Sequence, residues 1–503
     1  MTTICFTKEH LDVFSAASHD RNPLHLSDEY ARRTPYGGRV VFGILDALVA
    51  IGHAGLNLKP GLTLSCLECE FFDVAMLGLD YGAEVVRSNT AETLLCVSDG
   101  RRPLLEVALS FKPGGCPRLI NQNDAANSDE EPLVLSAEDL RVGYKARGAY
   151  KVSMAELERL LSICNVNQNW ISPAHAAALL FTSYLVGMKI PGERALYSRL
   201  LIEFSELPEV ATSFEYNAEV TEVSESGELT VKGLLKSNGA TWASFSIAAH
   251  VRADLPPATV DSMERLSGRS NFLKDKVALV TGGSRGLGAA LVRALALQGC
   301  TVLLNFLHSR EEAEKLKNSL VGTAGRIVLF QGDASALAWC RSTHREVLAT
   351  IGRLDILLCN ASPALLPLWM EDSAAVRVSD FIQTSIALVV NPMAEFLPLL
   401  ADSKGWGVVI SSTAVKRPHP YFPHYVVAKS ATEALATVSS CEYRAVSFLT
   451  VRPPRLLTDL TNTPLGRRGA LLPEVVAAAT VNKIISAPSP GKVLILEDFG
   501  ANG

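Results

Sequence analysis

Short apolar runs alternate with helical patterns throughout residues 272–503, and no other feature of the sequence limits the possible folds as strongly. The runs are VALVT, TVLLNF, RIVLFQGD, LDILLCN, GVVISS, SFLTVRP and KVLILED. Continuous apolar strands separated by helices are typical of a parallel sheet that is covered by helices on both faces. The pattern therefore predicts a doubly wound α/β domain over residues 272–503.

The segment TGGSRGLG, residues 281–288, lies between the first apolar run and the helical pattern AALVRALAL. Glycines in such a loop let the backbone approach a pyrophosphate, and the start of the next helix presents free N–H groups to it. This strand-to-helix context predicts dinucleotide binding. The predicted binding residues of the loop are Gly282, Ser284, Arg285, Gly286, Leu287 and Gly288.

A chain of 503 residues is long enough for about three domains. Residues 114–132 and 253–271 are rich in Pro, Gly, Asn, Ser and charged residues, and this composition predicts linkers. The expected domains are therefore residues 1–114, 133–252 and 272–503.

The first two blocks repeat one pattern. Each has a strongly apolar helix, GILDALVAIGHA or AHAAALLFTSYLVGM, followed by antiparallel strand patterns. Glu70–Phe71 corresponds to Glu203–Phe204, and Ala83–Val85 corresponds to Ala218–Val220 at nearly the same offset. A buried helix wrapped by a curved antiparallel sheet, present twice, predicts an α+β double hot-dog arrangement.

Composition argues against several classes of protein. Apolar residues make up 48% of the chain, and the net charge of −5 argues against a nucleic-acid-binding surface. The N-terminal segment has no secretory signal, and Asp46 and His53 interrupt the longest apolar stretch. The scattered cysteines, including Cys66 and Cys69, predict reduced core or surface positions and not a zinc or disulfide site. We expect a cytoplasmic protein that neither spans a membrane nor binds a metal.

The stretch FSAASHDRNPLHLSDEYA, residues 14–31, places an acid and an imidazole around Asn22–Pro23. It resembles the motif of the MaoC-like (R)-specific enoyl hydratases and dehydratases, with Asp20 and His25 at the catalytic positions. The resemblance implies reversible loss of water from a 3-hydroxyacyl thioester, which needs one group for the C2 proton and one for the C3 hydroxyl. It also implies that the backbone N–H of Gly43 binds the enolate oxygen at a helix N-terminus.

Each side chain of this motif has a structural alternative when it is taken alone. Asp20 fits a turn or cap residue beside a proline, and His25 fits a hydrogen-bonded core histidine. The family usually has Gly at the position of His19 and often has His at the position of Phe42. In the second block the matching stretch LSICNVNQNWIS has Asn167 near the Asp position. Because a neutral amide cannot exchange the proton, we expect the second block to be catalytically silent.

Residues 272–503 resemble the short-chain dehydrogenase/reductase superfamily, because further motifs follow the glycine loop in the family's order. These are Asp333 after its strand, Asn360 in CNAS, Ser412, Tyr425 and Lys429 in YVVAK, and Thr458. The resemblance implies that Tyr425 exchanges a proton with the substrate oxygen and that Ser412 hydrogen-bonds this oxygen. It also implies that Lys429 lowers the pKa of Tyr425 and binds the nicotinamide ribose.

Two positions depart from the reductase family. The family's helical Asn, which holds a proton-relay water, aligns with Ser385, and the usual Pro-Gly pair is replaced by Pro453–Pro454. A serine can still hold a water, so we expect a modified relay.

Charge around the second strand of this block predicts the cofactor. An NAD enzyme usually has Asp or Glu at the end of that strand to bind the ribose 2′-OH. This chain has Asn305 there, with Arg285 in the glycine loop and Ser309–Arg310 soon after. Since these residues would accept a 2′-phosphate and no carboxylate repels it, we expect NADPH.

A reductase and a dehydratase on one chain share the 3-hydroxyacyl thioester as an intermediate. The expected protein is a bifunctional 3-oxoacyl thioester reductase and 3-hydroxyacyl thioester dehydratase of fatty acid or polyketide type biosynthesis. The alternatives are the oxidative direction, a front half that only binds acyl chains, and a reductase fold that binds cofactor without turnover. We expect a coenzyme A or acyl carrier protein thioester as substrate, and a homodimer or larger assembly through the reductase block.

Overall fold

The computed structural model describes residues 2–56, 61–89, 91–121, 130–136, 138–206, 208–225, 227–256 and 258–500. The chain divides into two compact units, Met1–Ala253 and Asp254–Gly503. The first unit contains both blocks that carry the repeated pattern. The predicted linker 114–132 falls partly outside the described residues, since residues 122–129 are not among them.

The strands of the first unit are β1 (Thr2–Cys5), β2 (Leu62–Phe71), β3 (Asp80–Ser88), β4 (Glu92–Ser98), β5 (Pro103–Pro113), β6 (Arg118–Ile120), β7 (Lys145–Lys151), β8 (Ala195–Phe204), β9 (Glu209–Ala211), β10 (Ser213–Val223), β11 (Glu228–Ser237) and β12 (Ala240–Val251). Over the described ranges, all but β6 and β9 form one sheet in the order β1-β3-β4-β5-β2-β8-β12-β11-β10-β7. The two blocks join where β2 pairs antiparallel with β8, with Cys66 opposite Glu203. A single continuous sheet therefore serves both repeats.

The helices of the first unit are α1 (Lys8–Ser18), α2 (Pro23–Leu26), α3 (Asp28–Ala31), α4 (Gly43–His53), α5 (Met154–Ile163) and α6 (Pro173–Tyr184), and α6 continues into a π-helical turn, Leu185–Lys189. Every residue is buried from Ile44 to Ile51 in α4 and from Ala174 to Ser183 in α6. Both helices belong to one apolar core that also includes residues of β2, β5, β8 and β12. Burial of each Leu or Ile side chain contributes about 1.5–3 kcal/mol to such a core.

Helix α4 lies very close to the turn that follows α5. A Cβ added at Gly52 would lie 1.8 Å from the carbonyl oxygen of Cys164. We predict that Gly52→Ala lowers the free energy of unfolding of the first unit by about 3 kcal/mol, because the backbone must move apart. Urea denaturation of Gly52→Ala and of Gly115→Ala, where an added Cβ meets nothing within 4 Å, tests this. Equal denaturation midpoints for the two variants would contradict the close approach.

The strands of the second unit are β13 (Val277–Val280), β14 (Thr301–Phe306), β15 (Arg326–Gln331), β16 (Ile356–Cys359), β17 (Trp406–Ile410), β18 (Ser447–Val451) and β19 (Val493–Leu496). They form a parallel sheet in the order β15-β14-β13-β16-β17-β18-β19. Successive residues of β13 point to opposite faces, so that Ala278 and Val280 join one core and Val277 and Leu279 join another. The predicted doubly wound α/β fold is confirmed for this unit.

The helices of the second unit are α7 (Val260–Ser267), α8 (Gly286–Leu297), α9 (Arg310–Ser319), α10 (Leu337–Thr350), α11 (Ala375–Ser403), α12 (Pro423–Glu442), α13 (Pro464–Arg467) and α14 (Pro473–Ser486). Helices α7, α8, α9 and α14 contribute to one core, and α10, α11 and α12 contribute to the other. The sheet is therefore covered on both faces.

The predicted linkers contain regular structure. Helix α7 lies within residues 253–271, and its Met263 is fully buried. Strand β6 lies within residues 114–132 and pairs with β9. The prediction of an irregular segment was wrong at 260–267, where Val260 and Met263, three residues apart, both pack against the core of the second unit.

Helix α11 is, among the described residues, the one helix long and apolar enough to cross a bilayer by length and composition alone. The core helices of globular proteins pass the same test, so it is weak evidence for a span. In this unit Phe396 and Leu400 of α11 are fully buried in the core shared with β16 and β17.

Candidate functional site

The glycine loop between β13 and α8 has the conformation that its sequence predicts. Gly282 and Gly286 have φ of +64° and +53°, a region that favours glycine. A Cβ added at Gly288 would lie 2.1 Å from the carbonyl oxygen of Gly282. The loop therefore folds tightly onto the first turn of α8, which leaves the N–H groups of that turn available to a phosphate. Arg285 is the N-cap residue of α8, and Leu287 packs into the core while Ser284 lines a cleft beside Arg285.

Two asparagines hold the glycine loop against the sheet. The Asn360 amide donates to the carbonyl oxygens of Thr281 and Gly282, both at 3.1 Å. The Asn305 side chain accepts from the N–H of Gly282 at 3.2 Å and donates to the carbonyl oxygen of Gly332 at 2.9 Å.

The structure corrects the role predicted for Asn305. This residue lies inside β14, is 2% exposed and uses its amide to position the loop, so it does not contact a cofactor ribose. The first residues beyond the strand are Leu307 and His308, of which Leu307 is 46% exposed.

The other predicted cofactor residues lie at the same edge of the sheet or near it. Ser309 is the N-cap residue of α9, and the Arg310 side chain donates to Gln331 Oε1. Asp333 accepts from the N–H and hydroxyl of Ser335. Thr458 lies against the glycine loop, with its Cγ2 3.5 Å from a Cβ added at Gly286. The residues present thus fit a dinucleotide laid across the carboxyl ends of β13, β14 and β15.

The predicted reductase residues come together at the ends of β17 and α12. Tyr425 and Lys429 lie one turn apart on α12, with the Lys429 Nζ 5.6 Å from the centre of the Tyr425 ring. The same Nζ donates to the carbonyl oxygen of Ile410 at 2.8 Å. Ser412 follows β17 and is close enough for its hydroxyl to hydrogen-bond Tyr425.

The electrostatics of this group differ from the sequence-based expectation. Burial raises the pKa of Tyr425, and the hydrogen bond to Ser412 only partly offsets this. Burial also lowers the pKa of Lys429 to about 8. The expected lowering of the tyrosine pKa by Lys429 is not seen in this structure, because desolvation of the phenol raises that pKa and Lys429 is not among the groups that shift it.

Ser385 lies on the buried face of α11 and is 9% exposed. Within the described part of the chain its hydroxyl has no hydrogen-bond partner. A buried hydroxyl without a partner is costly and fits a site for an ordered water.

In the first unit, Asp20 lies deep in the protein and is 2% exposed. Its Oδ1 accepts from the N–H of Asn22 at 3.0 Å, and its Oδ2 accepts from the Ser183 hydroxyl at 2.8 Å. The π-helical turn of the second repeat closes over it, since a Cβ added at Gly187 would lie 2.3 Å from Asp20 Oδ1. Burial raises the pKa of Asp20 to about 7 in spite of these two hydrogen bonds.

His25 and Gly43 are both neighbours of Phe42: the His25 ring stacks on it, and Gly43 follows it in the sequence. The His25 ring stacks on Phe42 with ring centres 3.9 Å apart, and its Nδ1 lies 2.9 Å from the carbonyl oxygen of Val40. Because a carbonyl can only accept, Nδ1 carries the proton and Nε2 is left as the free base. Burial lowers the pKa of His25 to about 4. Gly43 begins α4 and is covered by Phe71, whose Cε1 would lie 2.7 Å from an added Cβ.

Asp20 is hydrogen-bonded to Ser183 of the second repeat, whereas His25 is hydrogen-bonded to Val40 and stacks on Phe42. Neither side chain is among the causes of the other's pKa shift, and no hydrogen bond joins them among the described residues. In the second repeat, Asn167 is exposed and its Oδ1 accepts from the N–H of Asn169, so it acts as a turn residue.

Sequence reasoning gave no role to Asp46 and did not consider His424. Asp46 lies in α4, is 4% exposed, and its Oδ1 has no partner among the described residues. His424 directly precedes Tyr425 and is fully buried. The only signal in the sequence was a carboxyl or imidazole side chain in an apolar helix. This signal does not distinguish a residue of the core from a residue of a functional site.

The buried Asp46 carboxyl gives a testable pH dependence. Burial raises its pKa from 3.8 to about 7, so the folded state holds this proton more tightly than the unfolded state. Its contribution to stability is therefore most favourable below about pH 4 and falls until about pH 7. We predict that Asp46→Asn raises the free energy of unfolding at pH 8 by up to about 4 kcal/mol and has little effect near pH 4. Urea denaturation across this range tests it, with the exposed Asp12→Asn as control; an equal effect of Asp46→Asn at all pH values would contradict it.

Comparison with known proteins bears on the second unit. Residues 276–465 match the family model described as short chain dehydrogenase. An uncharacterized oxidoreductase of Methylorubrum extorquens is 29% identical over 198 residues, which cover 38% of this chain and 77% of that protein. A hydroxynaphthalene reductase of Aspergillus fumigatus is 37% identical over 89 residues, which cover 18% of this chain and 33% of that protein.

Among solved structures, an alcohol dehydrogenase from the archaeon Thermococcus sibiricus, complexed with 5-hydroxy-NADP, is 27% identical with a TM-score of 0.40, over 44% of this chain and 94% of that chain. The match to the family model lies on the parallel sheet and on the residues that the glycine loop and α12 bring together. The second unit therefore contains a short-chain dehydrogenase domain, an oxidoreductase fold that implies a nicotinamide cofactor.

Proposed function

We propose that the protein is a bifunctional NADPH-dependent 3-oxoacyl thioester reductase and 3-hydroxyacyl thioester dehydratase. The observation that carries the reductase part is the Tyr425 hydroxyl beside Ser412, with Lys429 one turn further along α12. The dehydratase part rests on the buried Asp20 and on the fixed tautomer of His25. The continuous antiparallel sheet with α4 and α6 in its core supports a double hot-dog assignment for the first unit.

In the reductase, a bound nicotinamide would supply the hydride to the carbonyl carbon. Ser412 positions the substrate oxygen, and Tyr425 donates a proton to it as the C–O double bond becomes a single bond. Burial keeps the Tyr425 phenol protonated at neutral pH, which suits a proton donor in the reductive direction. Lys429 carries the positive charge that stabilises the phenolate left behind.

The proposed cofactor is NADPH, by the charge at the end of β14. Leu307 and His308 replace the carboxylate that binds a ribose 2′-OH in NAD enzymes. Arg310, on α9, donates to Gln331 Oε1, pairs with Glu314 and lies over the Phe306 ring at 5.7 Å from its centre. A 2′-phosphate would compete well for this guanidinium, since phosphate accepts charge-assisted hydrogen bonds.

In the dehydratase, neutral His25 accepts the C2 proton at Nε2, and the resulting enolate oxygen is bound by the N–H of Gly43. Asp20, protonated below its pKa of about 7, donates a proton to the C3 hydroxyl. The C3–O bond breaks, water leaves and the C2–C3 double bond forms, so that protons and electrons balance. Because Asp20 is closed in by Ser183 and Gly187, the π-helical turn Leu185–Lys189 must move for substrate to reach it.

The two reactions are consecutive on one tethered acyl group, and the proposed use of NADPH supports the reductive, biosynthetic direction. The oxidative direction, from enoyl thioester to 3-oxoacyl thioester, uses the same residues in reverse. We further propose that the substrate is a thioester of coenzyme A or of an acyl carrier protein. We also propose that the protein is cytoplasmic and forms a homodimer or a larger assembly.

Incubation of the protein with NADPH or NADH and a 3-oxoacyl thioester, on coenzyme A or on a carrier protein, tests the proposal. We expect consumption of NADPH, followed by a product lighter by one water, as read by mass spectrometry. If the hydroxyacyl product never loses water, the first unit is not a dehydratase and only binds acyl chains. If neither NADPH nor NADH is consumed, the second unit binds its cofactor without catalysing the reduction.

A further inference from the structure

Glu433 lies on α12, about two turns beyond Tyr425, and its carboxylate connects this helix to the ends of β17 and β18. The Ser411 hydroxyl donates to Glu433 Oε1 at 2.5 Å. Arg452 donates to both carboxylate oxygens, from Nε to Oε1 at 2.9 Å and from Nη2 to Oε2 at 2.7 Å. Because a bidentate pair fixes orientation as well as distance, the carboxylate is held in one position.

The connected strand ends are those that hold Ser412. Ser411 directly follows the last residue of β17 that pairs with β18, and its N–H donates to the carbonyl oxygen of Val451 at 2.7 Å. The N–H of Thr413 donates to the carbonyl oxygen of Pro453 at 3.0 Å. Ser412 therefore lies between two backbone hydrogen bonds to the end of β18, directly beside the serine that binds the α12 carboxylate.

The inner part of this network is largely shielded from solvent. Ser411 is buried, and the Glu433 and Arg452 side chains are 17% and 13% exposed. Burial acts to raise the pKa of Glu433, but the hydrogen bonds from Arg452 and Ser411 outweigh it and leave this pKa lowered. The carboxylate is therefore charged at neutral pH. The outer part of the network, Lys416 with Glu497, is 53% and 40% exposed and adds little to the positioning.

Helix α12 has a second contact with the same strand end, one turn earlier. Lys429 Nζ donates to the carbonyl oxygen of Ile410 at 2.8 Å, and Ile410 directly precedes Ser411. Two successive residues of the chain are thus bound by two successive turns of α12. These contacts set the distance between α12 and the end of β17.

We propose that Glu433 is a positioning residue of the reductase, which acts through Ser411 to hold Ser412 at the correct distance from Tyr425. The hydroxyls of Ser412 and Tyr425 lie on separate elements, and both must reach one substrate oxygen. A misplacement of about 1 Å can lower the rate by about 100-fold. Glu433 has no contact with substrate in this role, and the inference rests on the proposed reductase function.

Variants of the full-length protein test this role. Ser411→Ala removes the hydroxyl and leaves the ion pair between Glu433 and Arg452 intact. The double variant Glu433→Leu, Arg452→Leu removes the ion pair without leaving an unpaired buried charge. The matched control is Thr437→Ala, since Thr437 is exposed on α12 and its hydroxyl donates to the backbone carbonyl oxygen of Glu433 at 3.0 Å.

The same measurements are made on each variant and on the parent protein. Steady-state kinetics with NADPH give kcat and KM for a 3-oxoacyl thioester and for a small activated ketone. NADPH fluorescence gives the Kd of the cofactor. Hydrogen exchange, read by mass spectrometry, reports how firmly residues 411–416 are held.

We expect Ser411→Ala to lower kcat by about 5- to 20-fold, to keep the Kd for NADPH within about twofold of the parent value, and to speed up exchange at residues 411–416. The double variant should lower kcat at least as much, and Thr437→Ala should match the parent protein. Parent kcat and parent exchange in Ser411→Ala would overturn the positioning role. A loss of NADPH affinity as large as the loss of kcat would show general loosening of the domain and would also overturn it.

The parent protein separates this role from the proposed function. If the parent reduces the ketone but not the thioester, the substrate assignment fails, and kcat for the ketone decides the positioning role. If the parent reduces neither compound, the reductase function and the positioning role fail together. If it reduces either compound and Ser411→Ala keeps the parent kcat, only the positioning role fails.

Discussion

Replacement of Tyr425 by Phe will lower reductase kcat by about 10³-fold, because the phenol is the proton donor in the proposed reaction. The Phe ring keeps the packing on α12, so the Kd for NADPH should change less than about threefold. NADPH absorbance measures turnover and NADPH fluorescence measures binding. A variant that retains more than a tenth of the parent kcat would show that another group delivers the proton.

The same site has a pH dependence that follows from Lys429. Its pKa is lowered to about 8, so the ammonium is lost as the pH rises above that value. The phenol remains protonated over this range because burial raises its pKa. The reductase rate of the parent protein should therefore fall above about pH 8, and the fall should reflect the lysine and not the tyrosine.

The fold of the second unit could be predicted because its signals are local. Each parallel strand is a short apolar run, and the glycine pattern of the 281–288 loop itself indicates the positive φ that Gly282 and Gly286 adopt. Ser412, Tyr425 and Lys429 could be predicted as a group because their order and spacing resemble those of the short-chain dehydrogenase/reductase family, and the structure places them just after β17 and in the first turns of α12.

Desolvation could not be predicted from the same patterns. The order of the chain shows that Lys429 follows Tyr425 by one turn, but not that burial raises the pKa of Tyr425, against the expected direction, and lowers the pKa of Lys429. Asn305 was assigned to the end of the strand, but it lies one residue before the last residue of β14 and its side chain is buried. His424 and Asp46 look like ordinary interruptions of apolar helices until the packing around them is known.

The first unit shows the limit of repeat detection. The matched segments Glu70–Phe71 and Glu203–Phe204 lie at the ends of β2 and β8, the two strands that join the repeats. The repeat itself did not reveal this pairing, nor that Ser183 and Gly187 of the second repeat enclose Asp20 of the first. The second repeat thus supplies part of the environment that shifts the pKa of Asp20.

Replacement of Asp20 by Asn will lower the rate of dehydration of a 3-hydroxyacyl thioester by about 10²- to 10⁴-fold and leave reduction unchanged. The amide oxygen can accept from the N–H of Asn22 and the amide NH2 can donate to the Ser183 hydroxyl oxygen, so the fold should be retained, while the proton for the leaving hydroxyl is lost. Because Asp20 is proposed to act as an acid with a pKa of about 7, the parent rate should fall as the pH rises above 7.

The exposed Asp12→Asn on α1 is the control for a change of charge in the same segment, and it should dehydrate at the parent rate. His25→Gln should lower the rate to a similar extent, since it removes the free base at Nε2. If dehydration persists at the parent rate in Asp20→Asn, the carboxyl that Ser183 and the π-helical turn enclose is a structural group. The large shift of the Asp20 pKa would then reflect only the burial of this carboxyl between the two repeats.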